Sequence, residues 1–157
     1  MNNLVRVSFL VFISFATVIS CSSSYDSLTE ELVRSVISEL DDATENMDAN
    51  VFSDALSDDV KIVITINFQG QSQVIRPSKQ EYIVMLEEGW AAASNYEYTR
   101  SNLKIDMQGN KALVTAIIRE SMTVRGRNIN TRTFEKVTMK LIDGKPLITK
   151  VVGTIDM

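Results

Sequence analysis

The chain has 157 residues, 16 Lys and Arg against 20 Asp and Glu, a net charge of −4, no histidine and one cysteine. That length fits one domain, the negative balance makes nucleic acid a poor partner, and the lack of imidazole removes Ser-His-Asp and Cys-His catalysis and any two-histidine metal site. A single cysteine also excludes an intrachain disulfide, so packing has to hold the fold.

Residues 1–6 carry one basic side chain, Arg6, and residues 7–19 form an apolar stretch broken only by Ser8, Ser14 and Thr17. This is the length of a signal h-region and short of the ~20 residues that a spanning helix needs. The stretch ends in Val18-Ile19-Ser20-Cys21, which resembles the lipobox of bacterial lipoproteins, where aliphatic and small residues precede an invariant cysteine. The resemblance implies that residues 1–20 are a signal peptide and that Cys21 is lipidated and becomes the mature N-terminus. A membrane of the cell envelope is then the first partner, reached through the anchor on Cys21. Several acyl chains on one residue anchor a protein stably, where a single chain binds only marginally. Residues 21–27 form a short serine-rich tether. Ser22 stands where an inner-membrane retention signal would have aspartate, which points to the periplasmic leaflet of the outer membrane in a Gram-negative host. The alternatives are an ordinary secretory signal with a chance cysteine, or an uncleaved anchor helix.

Ser27-Leu28-Thr29-Glu30 has the form of a capping box, with Leu28, Leu32, Val36, Leu40, Ala43 and Met47 following at helical spacing. A short second helix is expected over residues 48–56, with Val51, Phe52, Ala55 and Leu56 on its inner side. Residues 61–68 are rich in β-branched side chains and run into Gln69-Gly70-Gln71-Ser72, which predicts a hairpin returning to about Arg76. After Pro77, a second capping box at Ser78-Lys79-Gln80-Glu81 opens a third helix carrying Tyr82, Met85, Leu86, Gly89, Trp90 and Ala93 on one stripe. From Asn95 the period becomes two, predicting antiparallel strands over 95–107, 111–124, 128–142 and 145–155. The turns between them are Gln108-Gly109-Asn110, Arg125-Gly126-Arg127 and Asp143-Gly144.

This order of elements resembles the NTF2-like (SnoaL-like) superfamily, which includes ketosteroid isomerase. So does the local texture of Leu56-Ser57-Asp58-Asp59-Val60, of Gly109-Asn110-Lys111-Ala112-Leu113-Val114 and of Asp143-Gly144-Lys145-Pro146-Leu147-Ile148. The resemblance implies an α+β cone over residues 28–157, with three N-terminal helices packed in a strongly curved, mostly antiparallel sheet of about five to six strands. It also implies a hollow between sheet and helices. No catalytic residue carries over from ketosteroid isomerase, because no tyrosine follows Tyr25 in the first helix.

Strand parity nominates the polar side chains of that hollow. Glu120 shares its parity with Ala112, Val114, Ala116, Ile118 and Met122, and Thr133 and Glu135 share theirs with Val137, Met139 and Leu141. A turn at Gly126-Arg127 would set Glu120 opposite Thr133. Counting back from Leu103, Ile105 and Met107 sends Glu97 to the same wall, and Tyr82, Met85 and Trp90 supply an apolar side. The pattern suits a cationic or hydroxyl-bearing ligand, or a carboxylate pair with one raised pKa for acid–base work. These glutamates can instead be rim charges paired with Arg100, Lys150 or a neighbouring basic group, with Trp90 and Met85 simply core. No cofactor and no metal is implied. The leading expectation is a membrane-tethered, non-enzymatic module binding a small molecule or an envelope protein. The alternatives are a small-molecule isomerase, dehydratase or hydrolase, and a structural role through a homodimer on the outer sheet face.

Overall fold

The computed structural model describes residues 24–157, so the signal segment, Cys21 and the first tether residues lie outside the described part. Helix α1 spans Glu30–Asn46 and α2 Ala49–Ala55, followed by strands β1 (Leu56–Phe68) and β2 (Gln71–Ile75). Helix α3 (Lys79–Ala92) comes next, then β3 (Ala93–Gln108), β4 (Lys111–Val124), β5 (Arg127–Ile142) and β6 (Lys145–Asp156). The third helix therefore follows the hairpin instead of standing N-terminal to every strand. The six strands form one sheet in the order β2-β1-β6-β5-β4-β3, antiparallel throughout except for the parallel pair β1 and β6. Among the described residues no helix is long and apolar enough to cross a membrane.

Local chemistry explains the helix ends. Thr29, not Ser27, caps α1, accepting a hydrogen bond from the Leu32 amide at 3.2 Å. Ser27 is displaced from that role because the chain before the helix has to deliver Leu28 into the core, where it is 5% exposed. The buried stripe of α1 is Val33, Val36, Ile37, Leu40 and Ala43, while Met47 closes the helix in a left-handed conformation and is exposed. Asp48 caps α2 through the Asn50 amide. At α3 the capping box forms in full, Ser78 accepting from the Glu81 amide and Glu81 accepting from the Ser78 amide at 2.7 Å.

The three helices lie on one face of the sheet, and the hydrocarbon core between them joins Val33, Ile37 and Leu40 to Ala112, Val114, Val137, Met139 and Ile148. Strand β4 alternates as its sequence pattern predicts, with Ala112, Val114, Ala116 and Ile118 buried.

Strand β3 departs from simple alternation. Its register against β4 slips by one residue between Ser94 and Glu97 and again between Ser101 and Lys104. Each slip contains an asparagine at positive φ, Asn95 at 52° and Asn102 at 54°, and asparagine tolerates that region better than most side chains. The bulge at Asn102 reverses the face on which alternate residues lie. Leu103, Ile105 and Met107 still point inward, but before the bulge the inward set becomes Tyr96, Tyr98 and Arg100, and Glu97 turns to solvent. The assignment of Glu97 to the inner wall is thereby overturned, because parity does not carry across an inserted residue.

The β4–β5 turn is also displaced from expectation. It uses Arg125 and Gly126, at φ 51° and 76°, the two positive values that a tight two-residue hairpin needs. Glu120 consequently faces Thr131, and Thr133 faces Ile118.

Asn102→Val should destabilise the domain by about 1–2 kcal/mol, because a β-branched residue is forced into the left-handed region, whereas Asn102→Gly should be close to neutral. Denaturant unfolding of the two variants beside wild type measures the difference.

Candidate functional site

A cavity of about 220 Å³ lies where the helices and the sheet diverge. Helix α3 contributes Tyr82, Met85, Leu86 and Trp90, α2 contributes Phe52, and the sheet contributes Tyr96, Tyr98, Arg100, Ile118, Glu120, Thr133, Glu135 and Ile155. Six of the seven ligand-binding residues nominated from sequence thus line one space: Glu120, Glu135, Thr133, Tyr82, Met85 and Trp90. Glu97 does not, for the reason given above. Trp90 is 8% exposed and packs its ring against Phe52 at 5.9 Å, while Met85 stands at the rim, 41% exposed.

Two polar clusters occupy the cavity wall. In the deeper one, the Arg100 guanidinium donates from Nε to Asp41 Oδ1 at 2.7 Å and from Nη1 to Glu135 Oε1 at 2.6 Å. The Tyr98 hydroxyl donates to the same Asp41 oxygen at 2.6 Å. The Arg100 side chain is only 9% exposed, and burial opposes its charge. The charge of Glu135 and the hydrogen bonds to Glu135 and Asp41 outweigh that effect and hold its pKa above the ordinary arginine value. Asp41 projects from α1, so this cluster fastens the first helix to strands β3 and β5.

The second cluster surrounds Glu120. Tyr96 donates its hydroxyl proton to Glu120 Oε1 at 2.5 Å, and Thr131 donates to Oε2 at 3.2 Å. No cation reaches this carboxylate among the described residues. Burial first, then the bond to Glu120, pushes the Tyr96 pKa up, with the Trp90 indole opposing the rise. Burial also raises Tyr82, helped by the charges of Glu135 and Glu120, and raises Tyr98 against the opposing Arg100. The three tyrosines are therefore held as neutral proton donors.

Arg100 pairs with Glu135 as the sequence allowed, although its inward position was not expected; Tyr96, Tyr98 and Asp41 escaped nomination from sequence, as did Gly153, which is buried on the inward face of β6 opposite Glu135. A lone glycine inside the β-branched run of β6 was the available signal for that position, since such a glycine marks a place where something approaches the backbone. A methyl group there would meet nothing closer than Thr133 Cγ2 at 3.7 Å, so the missing side chain leaves open space to the cavity. Among the described residues no group of three acidic side chains converges closely enough to hold a metal ion.

The backbone matches solved structures over this whole region. A conserved protein from Planctomyces limnophilus superposes with a TM-score of 0.67 at 17% identity, over 80% of this chain and 94% of that one. An NTF2-like protein from Cytophaga hutchinsonii gives 0.63 at 16% identity, over 81% and 98%. A putative scytalone dehydratase from Novosphingobium aromaticivorans gives 0.63 at 12% identity, over 81% and 83%. The fold is NTF2-like. At these identities the likeness concerns the backbone and not the site. No family model and no curated protein matches the sequence.

Arg100→Met should cost about 3–5 kcal/mol at neutral pH by stranding two carboxylates, toward the lower end because Asp41 is 29% exposed. Adding Asp41→Asn and Glu135→Gln to it should restore much of the loss, as read from denaturant midpoints.

Alkaline titration provides a second check. A folded-state pKa above the unfolded value means stability that is complete below about pH 10 and is lost as pH rises through the folded value. Three of the four tyrosines should therefore show no tyrosinate absorbance at pH 10 in the native protein, and should show it once denaturant is added.

Proposed function

We propose that this protein is a lipid-anchored component of the cell envelope whose NTF2-like domain binds a small molecule in the cavity without converting it. The observation that carries the binding reading is the cavity itself. It is an aromatic-walled space with one carboxylate, Glu120, that only hydroxyl groups satisfy. Ligand sites are built this way, from apolar walls and a few placed polar groups. The anchor reading is supported by the lipobox-like run ending at Cys21 and by the position of Ser24 and Tyr25. The Tyr25 amide donates to the Gly144 carbonyl at 2.9 Å, which leaves only Ser22 and Ser23 between Cys21 and the folded body.

Binding is favoured over catalysis because the polar groups are committed to one another. Arg100 is spent on Asp41 and Glu135, and Tyr96 keeps its proton on the oxygen that faces Glu120. A second reading has one specific observation behind it. The short bond between Tyr96 and Glu120 is the kind of pair that can move a proton in an elimination, and two of the similar structures are named as putative dehydratases. In that case Glu120 would serve as base.

Native mass spectrometry of the full-length protein extracted from host membranes addresses each part. The wild type should carry acyl mass, and Cys21→Ser should lack it and leave the membrane fraction. A Cys21→Ser variant with the same diacyl modification and membrane partition as wild type ends the anchor reading. A small molecule retained by wild type should be absent from Gly153→Val, whose side chain enters the cavity. A retained molecule that is released chemically altered would favour the dehydratase instead.

A further inference from the structure

We infer that the ligand of this cavity is a small organic cation, an ammonium group carried on an apolar body about the size of a substituted benzene ring. This deepens the binding reading and rests on it. The charge balance comes first. Three carboxylates, from Asp41, Glu120 and Glu135, stand against one guanidinium, and Arg100 is bonded to both Asp41 and Glu135. Glu120 is left with hydroxyl donors alone. A carboxylate offers about four lone-pair sites, and Tyr96 and Thr131 occupy two of them, so acceptor capacity and negative charge both remain for an incoming donor.

The same sign prevails at the Tyr82 hydroxyl, whose pKa is raised first by burial and then by the charges of Glu135 and Glu120 against the opposing Arg100. An anionic ligand would meet this charge with no free cation in the cavity wall, among the described residues, to receive it. A neutral ligand would gain a hydrogen bond but none of the charge, and bonds to a charged partner are roughly twice as strong as neutral ones. The walls agree, since Tyr82, Trp90 and Tyr96 line the space and aromatic faces attract cations.

Volume bounds the rest of the ligand. An apolar cavity of about 150 Å³ accommodates benzene, so about 220 Å³ suits a ring or branched chain with a short substituent. Phe52, Leu86, Ile118 and Ile155 supply the contacts for that body.

Trp90 is the one tryptophan in the chain and sits in the cavity wall, so its emission reports occupancy directly. The full chain should be titrated at pH 7 with three probes of matched shape: phenethylamine, 2-phenylethanol and 3-phenylpropionate. Phenethylamine should bind at least about tenfold more tightly than the alcohol, which corresponds to about 1.4 kcal/mol, and the carboxylate should bind more weakly than either. Glu120→Gln removes the charge, keeps one oxygen to accept from Tyr96 and turns an amide donor toward Thr131, whose hydroxyl can accept it; it should abolish the preference of amine over alcohol. Gly153→Val, with Glu120 intact, should abolish binding of the amine, so the inference remains testable if the glutamine variant does not fold. Equal binding of amine and alcohol to wild type overturns the cation inference while leaving a binding cavity. Failure of all three probes overturns both readings.

Discussion

A buried guanidinium organises this domain. Arg100 reaches from the third strand toward the first helix, and its two bonded carboxylates come from Asp41 on α1 and Glu135 on β5, so the bonds tie a helix to the sheet on which it packs. Taking three charges out of water is expensive, and the cost is offset only when geometry and hydrogen bonding are good. Here the distances are 2.6–2.7 Å and Tyr98 supplies a further donor to Asp41. The cluster lets the sheet and helices part without collapsing onto each other. Below it the interior is closed and apolar around Val33, Ile37, Val114 and Met139, and above it the cavity opens.

Whether Arg100 points inward at all depends on one residue that carries no charge. Without the extra residue at Asn102, the parity set by Leu103, Ile105 and Met107 would continue, placing Ser101, Thr99 and Glu97 inside and Arg100, Tyr98 and Tyr96 in solvent. The domain would then hold glutamates with no guanidinium to neutralise them. The bulge thus converts a strand whose plain alternation describes the lower core into one that builds a polar wall higher up. A bulge of this kind is a common means of re-aiming side chains near a functional site.

That dependence explains what the sequence made legible. The six strands, the capping box at Ser78 and the inward faces of β4 and β5 follow from periodicity and turn chemistry, because β4 and β5 pair without interruption. Glu120, Glu135 and Thr133 were found for that reason. Tyr96 and Tyr98 were not, and Arg100 was named only as a partner at the rim, because in β3 the apolar residues that announce parity all lie on one side of the bulge. Asn95 and Asn102 were the visible hints, yet an asparagine in a long polar strand is compatible with either face until its partner strand is known. Asp41 was hidden differently: on α1 it borders the apolar stripe, and only a basic residue 59 positions later gives it a reason to turn inward. The pairing of Glu120 with Thr131 turned on which two of three turn residues adopt positive φ, a choice that shifts register by two without altering any face.

The contact between the chain entrance and the far turn of the sheet has a consequence of its own. A Cβ at Gly144 would collide with the Ser24 hydroxyl, so the segment before α1 is seated on the β5–β6 turn closely enough that a side chain at 144 would force it to shift. The cavity sits toward the other end of β5, about nine residues from Ile142 at Thr133, which at about 3.3 Å per residue is roughly 30 Å away. Anything upstream that fixes Ser24 in space therefore acts at the end of the sheet remote from the cavity, leaving the cavity mouth clear of whatever holds the chain entrance.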